Sequence, residues 1–191
     1  MNKKARFEQL QARVFAGSWL ETQQACDQLL RFGGGFSTTI QRRSRRFLLG
    51  LLAHDNAHIR NAAALAFRKN RAHWAVAALL RALLHPANLR HRGTLAYALE
   101  RLDCRRHLSG LFTVLFSAAG TNWEVQMHIL TVLDTQRFTS SPEQRRAIRQ
   151  QWESLKPDWN RLNKIDETSA SKTALNAALV QSFVDALAGA E

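Results

Sequence analysis

Three stretches of this chain share one form, and a repeat limits the fold more tightly than any composition does. The form runs from His54 to Phe67 as HDNAHIRNAAALAF, returns from His85 to Leu99 as HPANLRHRGTLAYAL, and returns more weakly from Thr121 to Leu133 as TNWEVQMHILTVL. In the first copy the turn dipeptide Asp55-Asn56 closes one apolar helix. Ile59-Arg60 then opens a second helix carrying Ala62, Ala63, Ala64, Ala66 and Phe67. In the second copy, 30 residues on, Leu89-Arg90 and Ala96-Tyr97 take the corresponding places. In the third, a further 36 on, Val125 and Val132-Leu133 do so. Helix pairs at this period predict a stack in which each pair buries its apolar face against the next.

The flanking sequence reads as helix throughout. Residues 3–16 repeat apolar side chains at Phe7, Leu10, Val14 and Phe15; Gly17-Ser18 interrupts, and Ser18 is placed to cap a helix over 19–32. Gly33-Gly34-Gly35 follows, with neither the preceding strand nor the Lys-Ser/Thr tail of a phosphate loop, so it reads as a hinge or C-cap. Thr38 and Gln41 match a capping box. The helix they open sets Ile40, Phe47, Leu48, Leu51 and Leu52 on one face. Arg42, Arg45 and Arg46 lie opposite, with Arg43 at the flank. Helices are predicted over 57–69, 73–85, 88–103, 107–118 and 122–135. Ser141-Pro142-Glu143 starts another that ends before Pro157. Residues 158–172 are polar and read as a linker, and a last helix aligns Leu175, Leu179, Phe183 and Leu187. The expectation is an all-α chain forming one domain over 1–191. It comprises an N-terminal helix pair in 1–35, a repeat core in 37–135, and capping helices in 141–156 and 171–189.

Charge narrows the partner. The formal net charge is +12, and residues 36–106 hold fourteen Arg or Lys against the three acids Asp55, Glu100 and Asp103. Such a field draws an anionic partner, although an arginine-rich composition can also follow from a GC-rich genome. No run is apolar and long enough to span a membrane, and residues 1–15 lack a secretion-type apolar stretch, so a cytoplasmic location without membrane partners is expected. Cys26 and Cys104 lie far apart without a CxxC pattern and read as buried small side chains. His54 and His58 are four apart, but a turn separates them and no third ligand recurs, so no metal is expected. Neither GxSxG, a P-loop nor HExxH occurs, which argues against an enzyme and against a cofactor.

The run Ile59-Arg60-Asn61-Ala62-Ala63-Ala64-Leu65-Ala66-Phe67, with Asp55 in the turn before it, resembles the second helix of a HEAT repeat. The second copy keeps Leu89, Arg90, Ala96 and Tyr97; the third has Val125-Gln126 in place of apolar-Arg. The resemblance implies an α-solenoid of antiparallel helix pairs with helical caps, whose second helices line an inner, concave wall. It also implies that Arg60 and Arg90 tie neighbouring repeats together. Outward positions on that wall would be His58, Asn61, Leu65, Arg68 and Lys69, then His91, Thr94, Ala98, Arg101 and Arg105, then Gln126, Met127, Thr131 and Asp134. The basic and polar positions His58, Asn61, Arg68, Lys69, His91, Thr94, Arg101 and Arg105 among these form the expected partner-binding set. Arg42, Arg43, Arg45 and Arg46 form a second basic patch. The first reading is a non-enzymatic module that recognises an acidic protein, of adaptor, inhibitor or toxin-immunity type. The alternative is DNA or RNA binding with little sequence choice. A third reading rests on HEAT-like alkylpurine DNA glycosylases, for which Trp74, Trp123 and Glu124 supply the residue types without a motif.

Overall fold

The computed structural model describes residues 3–32, 38–88, 91–117, 122–159 and 177–187, and none of these residues is in a strand. The helices are α1 Lys3–Ala16, α2 Trp19–Phe32, α3 Thr38–Leu51, α4 Ala57–Lys69, α5 Val76–Leu84, α6 Gly93–Leu99, α7 Leu108–Phe116, α8 Trp123–Thr135 and α9 Pro142–Leu155, with α10 over 177–187. Short 3-10 turns at His73–Ala75 and Pro86–Asn88 flank α5, and another at Lys156–Asp158 extends α9. The chain divides into two compact units, Met1–Leu102 and Asp103–Glu191. Gly33 to Gly35, Leu89, Arg90 and Leu175 lie outside the described residues, as does most of the 158–172 segment.

Helix starts follow local chemistry. Ser18 and Glu21 form a reciprocal cap on α2, the Ser18 N–H and hydroxyl both donating to Glu21 Oε2 at 2.8 Å. Those bonds hold the Glu21 carboxyl below its ordinary pKa. Gly17 is required beside them, because a Cβ there would stand 2.7 Å from Glu21 Cβ and 2.9 Å from the Arg13 carbonyl oxygen. Asn56 Oδ1 accepts the His58 N–H of α4 at 2.9 Å, and Asn122 Oδ1 accepts the Glu124 N–H of α8 at 2.9 Å. Ser141 and Gln144 close a capping box on α9, with Pro142 in its first turn.

The first unit is organised around α4. This helix touches α2, α3 and α6, and α2 in turn touches α1 and α3. Ala62, Ala63 and Ala64 are all fully buried, as is Phe67. Successive alanines can be buried together only where helices approach from several sides, and small side chains permit that approach. Phe67 alone, taken out of water, contributes about 3 kcal/mol. Phe7, Leu10 and Val14 of α1, Leu29 of α2, Leu48 of α3, Leu79 and Leu83 of α5, and Leu95 and Leu99 of α6 complete the core.

Burial corrects the register of the second copy. In α4 the buried set is Arg60, Ala62, Ala63, Ala64, Ala66 and Phe67, with Ile59 before it. Around α6 it is Arg92, Gly93, Leu95, Ala96, Ala98 and Leu99. Arg60, Ala63, Ala64, Ala66 and Phe67 therefore correspond to Arg92, Leu95, Ala96, Ala98 and Leu99, an offset of 32 rather than 30. Tyr97, expected to match buried Phe67, is exposed, and Ala98, expected outward, is buried. In α8 the pattern recurs 34 residues further on, with Gln126 in the place of Arg92. Gln126, expected outward, is buried.

Buried Arg60 also serves a different purpose from the one expected, while Arg90 lies outside the described residues. The Arg60 guanidinium donates through NH1 to the carbonyl oxygens of His54 and Asp55, so it closes the turn before its own helix rather than bridging to a neighbour. Arg92 donates to the His85 carbonyl at 3.4 Å and does the same for the second turn. The two turns match further: His54 Nδ1 accepts the Asn56 N–H at 3.0 Å, and His85 Nδ1 accepts the Ala87 N–H at 3.3 Å. The helix expected over 88–103 is accordingly shorter. Asn88 is drawn into the turn, its side-chain amide donating to the Ala82 carbonyl at 2.7 Å, and α6 begins only at Gly93.

In the second unit α7 packs on α8 and α9. Phe116 stacks on Trp152 at 5.8 Å, and Trp152 meets Trp159 edge-on at 5.2 Å. Trp152 donates from Nε1 to Gln181 Oε1 of α10 at 2.8 Å. Trp159 is buried, so ordered packing runs past Asp158, where the sequence predicted a linker to begin. The buried residues of α10 are Val180 and Val184, while Leu179 of the expected stripe is exposed. A stripe taken at every fourth residue drifts around a helix of 3.6 residues per turn, and here the valines face inward. Cys26 and Cys104 are buried free thiols, and burial pushes each up to about 12. No helix among the described residues is long and apolar enough to cross a membrane.

Candidate binding surface

In the first unit α4 touches both α2 and α6, and outward side chains meet across each contact. Trp19 of α2 meets the His58 ring edge-on at 5.6 Å. Leu20, Gln23, Gln24 and Asp27 of α2 and Leu65, Ala66 and Lys69 of α4 line a groove of about 230 Å³. Arg68 reaches from α4 to α6. Its guanidinium lies 3.7 Å from the Tyr97 ring centroid, donates to the Tyr97 carbonyl at 3.1 Å and stands 3.4 Å from Glu100 Oε2. Apolar surface is left open along this line: Leu20 is 60% exposed, Trp19 41% and Tyr97 37%.

The structure brings together much of the predicted set. His58, Lys69 and Arg101 are exposed, and Asn61, Arg68 and Thr94 are half-buried. Asn61 Oδ1 is buried without a protein partner. His91 is exposed in the turn before α6. Arg105 belongs to the second unit. There it is held by Asp103 through Nε–Oδ1 at 2.9 Å and NH2–Oδ2 at 2.7 Å, bonds that raise its already high pKa.

Several of these cations are already matched. Lys69 Nζ lies 3.0 Å from Asp27 Oδ2, which also pairs with Arg31 at 3.1 Å. Asn70 donates to Asp27 Oδ1 at 2.6 Å. Burial by itself would raise the Asp27 pKa, but the bonds from Asn70 and Lys69 and the charges of Lys69 and Arg31 outweigh it, and the net shift is downward. The surface is thus a mixture of paired charges and open aromatic and aliphatic side chains. Sequence reasoning missed Trp19, Leu20 and Tyr97 as its apolar members. The first two lie outside the repeats, and the third was hidden by the two-residue error in register.

The second basic patch has a different make-up. Arg42, Arg43, Arg45 and Arg46 are all exposed on α3, and among the described residues none has an ion pair. They do not act as one strip. Arg43 lies over the Phe7 ring at 5.1 Å, whereas Arg45 lies over the Trp74 ring at 4.9 Å. Trp74 itself packs edge-on against Phe67 at 5.4 Å. Beside Arg45, a cavity of about 370 Å³ is lined by Leu30, Gln41, Ser44, Arg45, Asn70, Arg71, Ala72 and Trp74.

His54 and His58 are each turned to a ring, Phe15 at 5.6 Å and Trp19 at 5.6 Å, and His54 Nδ1 accepts the Asn56 N–H. Trp123 and Glu124 are exposed at the start of α8 in the second unit. No protein-family model, curated protein or solved structure matches this chain.

Proposed function

We propose that the chain is a non-enzymatic binding module and that the outward surface of α2, α4 and α6 docks a protein partner with acidic groups. In this reading the helices of the first unit are a HEAT-like solenoid stack, with α2, α4 and α6 as its inner wall, and the protein works in the cytoplasm as an adaptor, inhibitor or toxin-immunity protein. The return of one burial pattern in α4, α6 and α8 supports the repeat. The observation that carries the partner class is the composition of the wall. Exposed Trp19, Leu20 and Tyr97 stand among Arg68, Lys69 and Arg101. Aromatic residues and arginine are the side chains that concentrate binding energy in protein interfaces. A phosphate-tracking surface would instead carry unmatched cations, and here Asp27 and Glu100 neutralise part of the charge. The net charge of +12 selects for an acidic partner and speeds its arrival.

The test is affinity capture from native lysate with nuclease present, comparing the native chain with Leu20→Asp and Tyr97→Ala. A protein retained by the native chain and lost by both variants is the expected result. Capture that disappears on nuclease treatment, together with duplex binding at low salt, would replace this reading with nucleic-acid binding.

A further inference from the structure

The cavity beside α3 shares no lining residue with the groove between α2 and α4, and its lining has the chemistry of an anion site. Three elements build it: Leu30 from α2; Gln41, Ser44 and Arg45 from α3; and Asn70, Arg71, Ala72 and Trp74 from the chain between α4 and α5. Its volume of about 370 Å³ falls in the range of small-molecule sites.

Two of its residues depart from what their positions ordinarily hold. Arg71 has φ 49°, and among the described residues it alone has positive φ without being glycine. It occupies the left-handed position that ends α4. The Arg71 N–H donates to the Arg68 carbonyl at 3.3 Å, and the Ala72 N–H to the Phe67 carbonyl at 2.9 Å. Glycine is the ordinary occupant of this position, since a Cβ there is strained. The cap accounts for the conformation but not for an arginine in it, and non-glycine residues held in this region cluster at functional sites. Ser44 is the second residue. A mid-helix serine commonly returns its hydroxyl to a carbonyl one turn back, but Ser44 Oγ is buried with no protein partner, and the residue itself is 2% exposed.

The charges here are unmatched. Among the described residues neither Arg45 nor Arg71 has an ion pair. Asp27, the acid that reaches Asn70, is already engaged by Arg31 and Lys69. Arg45 is positioned by the Trp74 ring at 4.9 Å, which fixes its guanidinium without neutralising it.

We propose that this cavity binds the phosphate group of a small phosphorylated molecule. Two guanidinium forks, a serine hydroxyl and the Gln41 amide offer more donors than a carboxylate can use. They suit a terminal phosphate with three free oxygens and close to two negative charges.

Calorimetric titration of the full chain with inorganic phosphate and with AMP, at low ionic strength, tests the assignment. One saturable site per chain is expected for either probe. Arg71→Gly and Ser44→Ala should each weaken it by about tenfold or more, the loss of one charge-assisted or buried bond. Arg81→Gln, which removes a cation exposed elsewhere on α5, should leave it unchanged. Arg71→Gly should also melt roughly 1–2 °C higher, because it relieves the left-handed strain, so its loss of binding cannot be a loss of fold. Tighter binding of AMP than of inorganic phosphate is expected; equal or weaker binding makes the free ion the ligand and overturns the assignment to a phosphorylated molecule. The proposal is overturned if neither probe saturates, if Arg71→Gly binds as the native chain does, or if Arg81→Gln weakens binding as much. It is also overturned if an oligonucleotide without a terminal phosphate binds more tightly than AMP.

Discussion

The two basic regions of the first unit hold the same kind of side chain in opposite electrostatic states. On the wall of α2, α4 and α6, Arg68 faces Glu100 and Lys69 faces Asp27. Around the cavity beside α3, Arg45 rests on an indole and Arg71 on a strained turn, with no ion pair to either among the described residues. A net charge of +12 does not distinguish these regions. Pairing does. On the functions proposed above, the wall would meet a mixed, partly apolar partner surface and the cavity an anion.

Three substitutions would break or sharpen that contrast. The largest effect is expected from Arg60→Ala, since α4 supports both regions and its first turn hangs on this buried guanidinium. Losing two charge-assisted bonds and stranding two carbonyls should cost about 3 kcal/mol in urea unfolding. A cost below about 1 kcal/mol would show that the turn holds without it. Next comes Glu100→Gln, which strips the wall of one compensating acid. Both side chains of this pair are largely buried, at 16% and 20% exposure, so a loss of about 1 kcal/mol is expected. Partner binding should also become more salt-dependent, as unmatched Arg68 makes the wall more like the cavity. The smallest effect lies in pH. The Asp27 carboxyl titrates below its ordinary value in the folded chain. Its contribution is therefore present above about pH 4 and lost as pH falls through the folded value. Asp27→Asn should flatten the acid side of a stability–pH profile while leaving phosphate binding intact. An unchanged profile would mean that Lys69 and Arg31 do not favour the ionised carboxylate.

Much of the fold could be seen in the sequence because it was written in local terms. Asn56, Ser18 and Ser141 cap the helices they precede, and the run Ala62-Ala63-Ala64 marks a helix enclosed by its neighbours. The second copy was misplaced for a physical reason. Its turn takes in Pro86, Ala87 and Asn88 as a 3-10 segment before α6 begins, so the buried arginine is Arg92 and every later side chain shifts by two. That shift exchanged Tyr97 for Ala98 on the outer face. The wall's cations were legible, but their acid partners were not, because Lys69 and Asp27 come from different helices and no spacing links them. The cavity was hidden more deeply. In sequence Ser44 is one polar residue within an arginine run, and nothing in Lys69-Asn70-Arg71-Ala72 tells which residue takes the left-handed position that closes α4.

The buried thiols have a practical consequence. Cys26 and Cys104 are enclosed, and burial holds both in the protonated form up to about pH 12. A thiol that stays protonated and out of reach does not react with maleimides under mild conditions. A single cysteine placed at an exposed position such as Gln150 would therefore take a fluorophore or spin label alone. Native Cys26 and Cys104 would not have to be replaced, and α2 would not have to be repacked around a missing sulfur.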